Sequence, residues 1–376
     1  METIVLIPIY KTDLNEAEII SLRQTFKVFS NESICYVAPQ EFVMDEEFPC
    51  AEIERYHNEY FRDVYGYSEL LTSAEFYQRF LAYDYVLIVQ LDAFVFSNRL
   101  KEFCELGYDY YGARVPEIIW PYLKHRIGNG GFSLRKVSSC LRMCIKKKEI
   151  LNHAKDILNK ENYKEVSQVE DQFFSFCGNE YPDDYRLASD SIAEQFSIEF
   201  NVDGIYGQLP YHLPFGCHRW YQSNLGMWWK YIKKYGYLLS DDFFEVWEDR
   251  IPQYEYQMFF LYKFAENNKY KYRSALGKMV GNKQLVIWGN GSRGKKMRHI
   301  LDVIGYDDYL IIDKGFSSCM PRHYTGIEEI NHTDLFIIIT PEKQVDIQHE
   351  LKNKGMKKNR DYILFEALLK EFLLIL

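Results

Sequence analysis

Short apolar runs alternate with amphipathic segments along the first part of the chain. The run Thr3–Tyr10 is rich in β-branched residues and contains a closing proline, which predicts a fully buried strand. Residues 15–29 then show apolar positions at helical spacing, and Ser33–Pro39 predicts a second short strand. This β-α-β alternation predicts a parallel sheet with helices packed on its faces.

The next apolar run ends in a carboxylate. A helix is predicted over Ser68–Ala82 and a strand over Tyr85–Gln90, and Asp92 follows just past the strand's carboxyl end. Burying an unpaired carboxylate is costly, whereas ligand crevices of open α/β sheets lie at these strand ends. Asp92 is therefore predicted beside a crevice, with a turn or cap role as the alternative.

A glycine-rich segment, "HRIGNGGFSLRK", follows further along the chain. Gly128, Gly130 and Gly131 allow the backbone to turn or to approach a ligand closely, as a binding loop or as a simple hairpin. A short strand is predicted over Phe132–Leu134, and a helix is predicted to begin at Val137.

Two further polar segments fall in the same half of the chain. "VEDQFFSFCG" places Glu170 and Asp171 at the start of an aromatic helix, and "YHLPFGCHRW" contains His212 and His218. This last segment is predicted to close the first domain at about residue 225. Residues 226–278 are predicted to form a helical connector.

A new β-α-β pattern begins near residue 279 and predicts a small Rossmann-like domain over 279–376. Gly289, Gly291 and Gly294 match the spacing G-x-G-x-x-G between a strand and a helix, and Asp313 ends the next strand. A bound nucleotide or dinucleotide is one interpretation. The motif also occurs in domains that bind S-adenosylmethionine or that keep only the fold.

Charge and cysteine content narrow the protein class. The net charge of −9, with both signs interspersed, argues against a nucleic-acid partner. The eight cysteines include no C-x-x-C pair, which favours reduced thiols in a cytoplasmic protein over a zinc ribbon. No apolar run reaches the ~18 residues of a membrane span. The apolar C-terminal tail predicts at most peripheral membrane contact.

The residue types in the first domain suggest phosphate and proton chemistry. Asp92 could hold a divalent cation, Mg²⁺ or Mn²⁺, that bridges a diphosphate. Glu170 or Asp171 could serve as a general base, while the other caps a helix. His218, and with less support His212, could bind a metal or a phosphate, and Arg135 could pair with phosphate or lie on the surface.

Five segments together carry a resemblance to a known family: "PIY", "QLDAFVF", "GNGGFSLRK", "EDQFF" and "LPFGCHRW". Over residues 1–225 their order resembles a bacterial group of glycosyltransferases with the GT-A fold. The resemblance implies an α/β domain that binds a nucleotide-sugar, with Asp92 at the donor diphosphate, usually through a metal. It also implies that Asp171 is the base, as in inverting enzymes, and that Asn129, Gly130 and Gly131 form a loop beside donor and acceptor.

The sequence departs from the family at the metal motif. Many GT-A enzymes carry Asp-X-Asp, whereas this chain has Gln90-Leu91-Asp92 followed by Ala93-Phe94. Gln90 is assigned to the donor site with Asp92, but only one carboxylate is available there. His218 could complete the metal site, or basic side chains could replace the ion.

The predicted function is therefore a hexosyltransferase-type enzyme that uses a nucleotide-sugar and a glycan or glycoprotein acceptor. The resemblance implies bacterial surface polysaccharide or adhesin glycosylation, in the cytoplasm or at the inner face of the membrane. One alternative is a nicotinamide-dependent oxidoreductase acting on sugar nucleotides. The helix after Gly294 offers Lys295, Lys296 and His299, but no tyrosine for the expected Tyr-x-x-x-Lys relay. A non-catalytic nucleotide-binding scaffold is the other alternative.

Overall fold

The computed structural model describes residues 1–117, 119–199, 213–247, 268–313, 324–325, 334–341 and 344–373. The chain forms two compact units, Met1–Leu239 and Ser240–Leu376. The predicted borders near residues 225 and 279 stay a prediction. His212 and residues 248–267 of the predicted connector lie outside the described residues.

The first unit contains eleven described strands and ten described α-helices, with short 3-10 helices at Asn58–Phe61 and Lys233–Tyr235. The strands are β1 (Thr3–Pro8), β2 (Ser33–Pro39), β3 (Glu52–Tyr56), β4 (Tyr85–Val89), β5 (Phe94–Val95), β6 (Tyr110–Tyr111), β7 (Ala113–Arg114), β8 (Ile127–Gly128), β9 (Phe132–Lys136), β10 (Ser197–Ile198) and β11 (Gly216–Cys217). The helices are α1 (Glu16–Val28), α2 (Val64–Leu71), α3 (Ala74–Gln78), α4 (Leu100–Leu106), α5 (Val137–Ile145), α6 (Lys147–Ile157), α7 (Lys160–Gln168), α8 (Glu170–Glu180), α9 (Asp190–Phe196) and α10 (Trp220–Ile232).

The central sheet has the strand order β3-β2-β1-β4-β9-β6. The strands β3, β2, β1 and β4 run parallel, and β9 lies antiparallel between β4 and β6. The predicted α/β fold with a parallel sheet is confirmed. After β1 the chain adds β2 and β3 on one side and then β4 on the other. The strand order therefore reverses between β1 and β4, where such sheets place their ligand crevice.

Helices and loops cover both faces of this sheet. Every residue of β4 is buried, which explains why its sequence is a continuous apolar run without polar alternation. Val86 and Ile88 pack into one apolar cluster, and Leu87 and Val89 pack into another. This alternation is the side-chain period of a strand with two covered faces.

The helix predicted over Ser68–Ala82 is wrong as a single element. α2 ends at Leu71, and Ser73 begins α3 by accepting a hydrogen bond from the backbone N–H of Phe76 at 3.2 Å. Serine favours this capping position because its side chain replaces a missing intrahelical acceptor. The cap therefore divides the predicted helix in two.

Two small pairings position the residues that follow the central strands. β11 pairs antiparallel with β5, with Cys217 opposite Phe94. This pairing brings His218, which follows Cys217, close to Asp92, two residues before Phe94. β10 pairs parallel with β11, with Ile198 opposite Cys217. The strand β9 follows the glycine-rich loop and pairs with β4, which places that loop beside the end of β4.

The second unit has five described strands and five described helices. The strands are β12 (Gln284–Trp288), β13 (Tyr309–Ile312), β14 (Tyr324–Thr325), β15 (Leu335–Ile339) and β16 (Tyr362–Leu364). The helices are α11 (Asp241–Trp247), α12 (residues 268–280), α13 (Ser292–Ile304), α14 (Val345–Asn353) and α15 (Phe365–Leu373).

The sheet of the second unit is parallel at every pairing, in the order β14-β13-β12-β15-β16. Numbered within the unit this is 3-2-1-4-5, which is five strands of the doubly wound order. α15 packs its apolar face into the core of this unit, where Phe365, Leu368, Leu369 and Phe372 are buried. Within the described ranges, no helix combines the length and apolar character needed to cross a bilayer.

Candidate functional site

A cleft of about 320 Å³ opens at the carboxyl ends of β1 and β4. Its walls include Pro8 and Tyr10 from the end of β1, Gln90 and Asp92 from the end of β4, and Arg62 from the segment before α2. The cleft therefore lies at the reversal of strand order, where the topology of the sheet predicts a ligand crevice.

Asp92 lies at this cleft and is compensated by a histidine. Its Oδ1 is 3.0 Å from Nε2 of His218, and its side chain remains 18% exposed. The backbone carbonyl of Asp92 accepts a hydrogen bond from the N–H of Trp220 at 3.2 Å. Burial raises the pKa of Asp92, but the nearby His218 outweighs burial, so the pKa falls below its usual value.

His218 lies between two carboxylates. Its Nε2 faces Asp92, and its Nδ1 is 3.4 Å from Oε2 of Glu199. Burial alone would lower the pKa of His218, but the two acids outweigh burial and raise it to about 10. A Cβ atom on Gly131 would lie 2.0 Å from Nε2 of His218, so only glycine leaves room for the ring there.

The loop Asn129–Gly131 connects this histidine to the acidic pair. The backbone N–H of Asn129 donates to Oδ2 of Asp171 at 3.0 Å, and that of Gly131 donates to Oδ1 of Asn129 at 3.1 Å. The carbonyl of Gly131 accepts from the N–H of Gln90 at 2.8 Å. Asn129 has φ 79°, a left-handed conformation that asparagine tolerates better than most residues.

Asp171 has a strongly perturbed carboxyl group. Burial, the charge of Glu170 and, to a smaller extent, that of Glu199 raise its pKa to about 7. The hydrogen bond from the N–H of Asn129 acts in the opposite direction and lowers the pKa. Its Oδ1 is buried and has no hydrogen-bond partner among the described residues. A carboxyl group with this pKa and an unpaired oxygen can exchange a proton near neutral pH.

The neighbouring Glu170 is committed to a buried ion pair. Its carboxylate lies 3.0 Å from Nη2 of Arg135. The same guanidinium donates from Nη1 to the hydroxyl of Tyr77 at 3.2 Å and from Nε to the hydroxyl of Ser133 at 3.0 Å. Arg135 is fully buried, so the predicted contact between Arg135 and a donor phosphate is wrong, and so is the surface alternative. A Cβ on Gly130 would clash with Glu170 at 1.6 Å, so this glycine is required for close packing.

The structure thus gathers most of the predicted residues of the first unit around one loop. Gln90, Asp92 and His218 lie at one end of the loop, and Asp171 lies at the other. Sequence reasoning missed Glu199, although it follows the short strand β10 much as Asp92 follows β4. The parallel pairing of Ile198 with Cys217 sets Glu199 beside His218, a relation that no local pattern reveals.

Gln90, Asp92 and His218 are the groups that could hold a divalent cation here, and His218 would have to release its proton to do so. Oδ1 of Asp92 and Oε1 of Gln90 lie 3.0 Å and 3.2 Å from Nε2 of His218. Oε2 of Glu199 faces the opposite ring nitrogen at 3.4 Å, on the side from which carboxylates support metal-binding imidazoles. No group of three His, Cys, Asp or Glu side chains in the described parts forms a metal site, so substrate oxygens would have to complete this one.

The glycine motif of the second unit lies at the carboxyl end of β12. Gly289 has φ 104°, and a Cβ on Gly294 would lie 2.1 Å from the carbonyl oxygen of Gly289. Gly291 precedes α13 as its N-cap residue. Oδ2 of Asp313 accepts a hydrogen bond from the N–H of Asn290 at 2.7 Å. The four predicted residues thus lie around one turn, and a nucleotide at this turn stays a prediction.

Residues 50–218 match a family model described as "Protein of unknown function (DUF5672)". This range contains all the candidate residues of the first unit. The comparison with curated proteins gives no match.

Among solved structures, mouse xyloside xylosyltransferase 1 is 11% identical, with 58% of this chain and 97% of that chain covered at a TM-score of 0.35. A glycosyltransferase involved in glycosylation of the major capsid of PBCV-1 is 11% identical, with 58% of this chain and 92% of that chain covered at a TM-score of 0.33. The apo-form glycosyltransferase GlyE of Streptococcus pneumoniae TIGR4 is 13% identical, with 100% of this chain and 98% of that chain covered at a TM-score of 0.37.

Proposed function

We propose that the first unit is a glycosyltransferase that moves a sugar from a nucleotide-sugar to a hydroxyl group of a glycan or glycoprotein. One observation carries the proposal: Asp92 and Asp171 are connected to opposite ends of the loop Asn129–Gly131, which lies beside the cleft. Asp171 accepts from the N–H of Asn129, and Asp92 pairs with the histidine that packs on Gly131. Two Cα steps of ~3.8 Å span that loop.

The cleft supports the donor part of the proposal. Its volume of about 320 Å³ falls in the range of ~300–1,000 Å³ that small-molecule sites occupy. The nucleotide would lie along the ends of β1 and β4, with Tyr10 offering a ring face to the base and the diphosphate near Asp92 and His218. A divalent cation held by Gln90, Asp92 and His218 would supply positive charge to the departing diphosphate.

Asp171 supports the acceptor part of the proposal. The acceptor hydroxyl gives its proton to the carboxylate of Asp171 while its oxygen forms a bond to the anomeric carbon of the donor. The bond between that carbon and the diphosphate oxygen breaks, and the nucleoside diphosphate leaves with the electron pair. A base with a pKa of about 7 is well matched to this step at neutral pH.

The two adjacent acids take different roles in this proposal. Glu170 faces Arg135 in a buried ion pair, and its charge raises the pKa of Asp171. Removing the proton from an acceptor would require Glu170 to leave that pair, which is costly for a buried charge. Asp171 is therefore assigned as the base and Glu170 as a supporting residue.

The acceptor and setting are proposed from the sequence resemblance alone. They are a bacterial surface polysaccharide or an adhesin glycan, built in the cytoplasm or at the inner face of the membrane.

The test is to incubate the purified chain with a panel of UDP-, GDP- and CDP-sugars, with Mn²⁺ or with EDTA, and to measure free nucleotide. We expect slow hydrolysis of one donor. Asp92→Ala should abolish both donor binding and hydrolysis. Asp171→Asn should retain binding but lose turnover, because it removes only the base.

Failure of every donor to bind would refute the proposal. An oxidoreductase would instead change nicotinamide absorbance when given a sugar nucleotide, without releasing nucleotide. A scaffold would bind a nucleotide equally well in wild type and in Asp171→Asn, with no turnover in either protein.

A further inference from the structure

The carboxylate of Glu199 is a buried group that the proposed transfer step does not use. It lies directly after β10 and is only 5% exposed. An ionised carboxylate at such a position costs several kcal/mol unless other groups compensate it. The groups that contact this carboxylate therefore indicate which interaction it stabilises.

Two cationic side chains from consecutive residues lie against Glu199. Oε2 is 3.4 Å from Nδ1 of His218, and Oε1 is 3.8 Å from Nη1 of Arg219. Arg219 has φ 51°, a left-handed conformation that costs ~1 kcal/mol or more in a non-glycine residue. Three non-glycine residues in the described ranges have a positive φ. Two of them, Asn129 and Arg219, border this site.

The ring of His218 is constrained from three directions. Its Nε2 faces Asp92 at 3.0 Å and Gln90 at 3.2 Å, and the backbone of Gly131 packs against the ring edge. Glu199 completes the set on the other ring nitrogen. Among the described residues, Glu199 is the acid that faces the Nδ1 side of the ring and favours its present orientation.

We propose that Glu199 is a positioning residue that holds the imidazole of His218 with Nε2 directed to the diphosphate site at Asp92 and Gln90. The inference rests on the proposed function, because it concerns the same donor site. Carboxylates that orient an imidazole in this way change the affinity of metal sites by about 10–100-fold when they are removed.

The test compares Glu199→Gln and Glu199→Asp with Glu194→Gln as a matched control. Glu194 lies on α9 and pairs with Arg114 at 3.0 Å, so its substitution removes a nearby carboxylate that does not face His218. Isothermal titration with UDP, GDP and CDP, with Mn²⁺ and again with EDTA, identifies the tightest probe for wild type. Thermal unfolding of each variant checks that it folds.

We expect Glu199→Gln to weaken binding of that nucleoside diphosphate by 10-fold or more while its unfolding temperature stays near that of wild type. Glu199→Asp should recover part of the loss, and Glu194→Gln should bind like wild type. In turnover assays the donor KM should change more than kcat, because donor positioning is affected and the base is not.

Equal binding by Glu199→Gln and Glu194→Gln would overturn the inference. The proposed function would survive that result if Asp92→Ala still abolished binding. If wild type binds none of the three nucleotides, the proposed function fails and the inference falls with it.

Discussion

Replacing Asp171 by asparagine should make the protein inactive and, near neutral pH, more stable. The pKa of Asp171 is raised from 3.8 to about 7 by burial and by Glu170. The folded state therefore keeps this proton over a pH range in which the unfolded chain has lost it. Stability falls as the pH rises from ~4 to ~7 and is constant above that range. Asparagine does not ionise, so the variant does not lose stability in this way.

The size of the effect follows from the same two values. Each pH unit between them corresponds to about 1.4 kcal/mol, which gives an upper limit of about 4 kcal/mol. Between pH 5 and pH 8 the limit is about 3 kcal/mol, because the cost stops growing near pH 7. Local rearrangement around the charged form reduces this cost. Between pH 5 and pH 8 we therefore expect the free energy of unfolding of Asp171→Asn to increase by about 2 kcal/mol relative to that of wild type.

The assay is urea-induced unfolding of wild type and variant at pH 5 and pH 8, followed by tryptophan fluorescence. The difference between the two proteins at each pH cancels the titration of all other groups. Asp156→Asn, on the exposed side of α6, is the control and should show no pH-dependent difference. In parallel, turnover of Asp171→Asn should fall by about 10²–10⁴-fold. A stability difference that is equal at both pH values would refute the reasoning about Asp171.

Three further predictions concern the surroundings of the same site. Gly131→Ala should weaken nucleoside diphosphate binding by about 10-fold or more in calorimetry, because its Cβ would lie 2.0 Å from Nε2 of His218. Gln90→Asp should tighten Mn²⁺ binding in the same assay, because it adds a second carboxylate beside the donor atoms. Arg135→Met should lower the free energy of unfolding by about 3–5 kcal/mol, because it leaves Glu170 charged and unpaired.

Each of these predictions has a matched comparison. Gly277→Ala, at a position where a Cβ meets no atom within 4 Å, should leave nucleotide binding unchanged. Gln222→Asp adds a carboxylate to another wall of the cleft and should leave Mn²⁺ affinity near that of wild type. Combining Arg135→Met with Glu170→Gln should recover part of the lost stability, and a double variant as unstable as the single one would contradict the ion-pair argument.

The predicted strands are largely correct because their information is local. The five residues of β4 are continuously apolar, and the second strand begins and ends where the pattern predicts. Asp92 could be located near a strand end by the same means, because burying an unpaired carboxylate within the apolar run would be costly. The broken helix near Ser73 was missed because apolar spacing continues through a cap.

The roles of Arg135 and Glu199 could not be predicted, because they depend on partners that lie far away in the chain. Arg135 is an ordinary basic residue in sequence, and only its contact with Glu170, 35 positions later, makes it a buried structural cation. Glu199 faces His218 only because β10 and β11 pair in one particular register.

The sequence by itself determined the α/β class, most of the strands and several of the polar residues that border the cleft. Periodicity and chain order are sufficient for these, because a buried strand and the residue after it are fixed by neighbours in sequence. Only the tertiary structure decided which acids are paired and which keep an unpaired oxygen. Those properties depend on burial and on distances of 3–4 Å between remote segments, which set the cost of each charge.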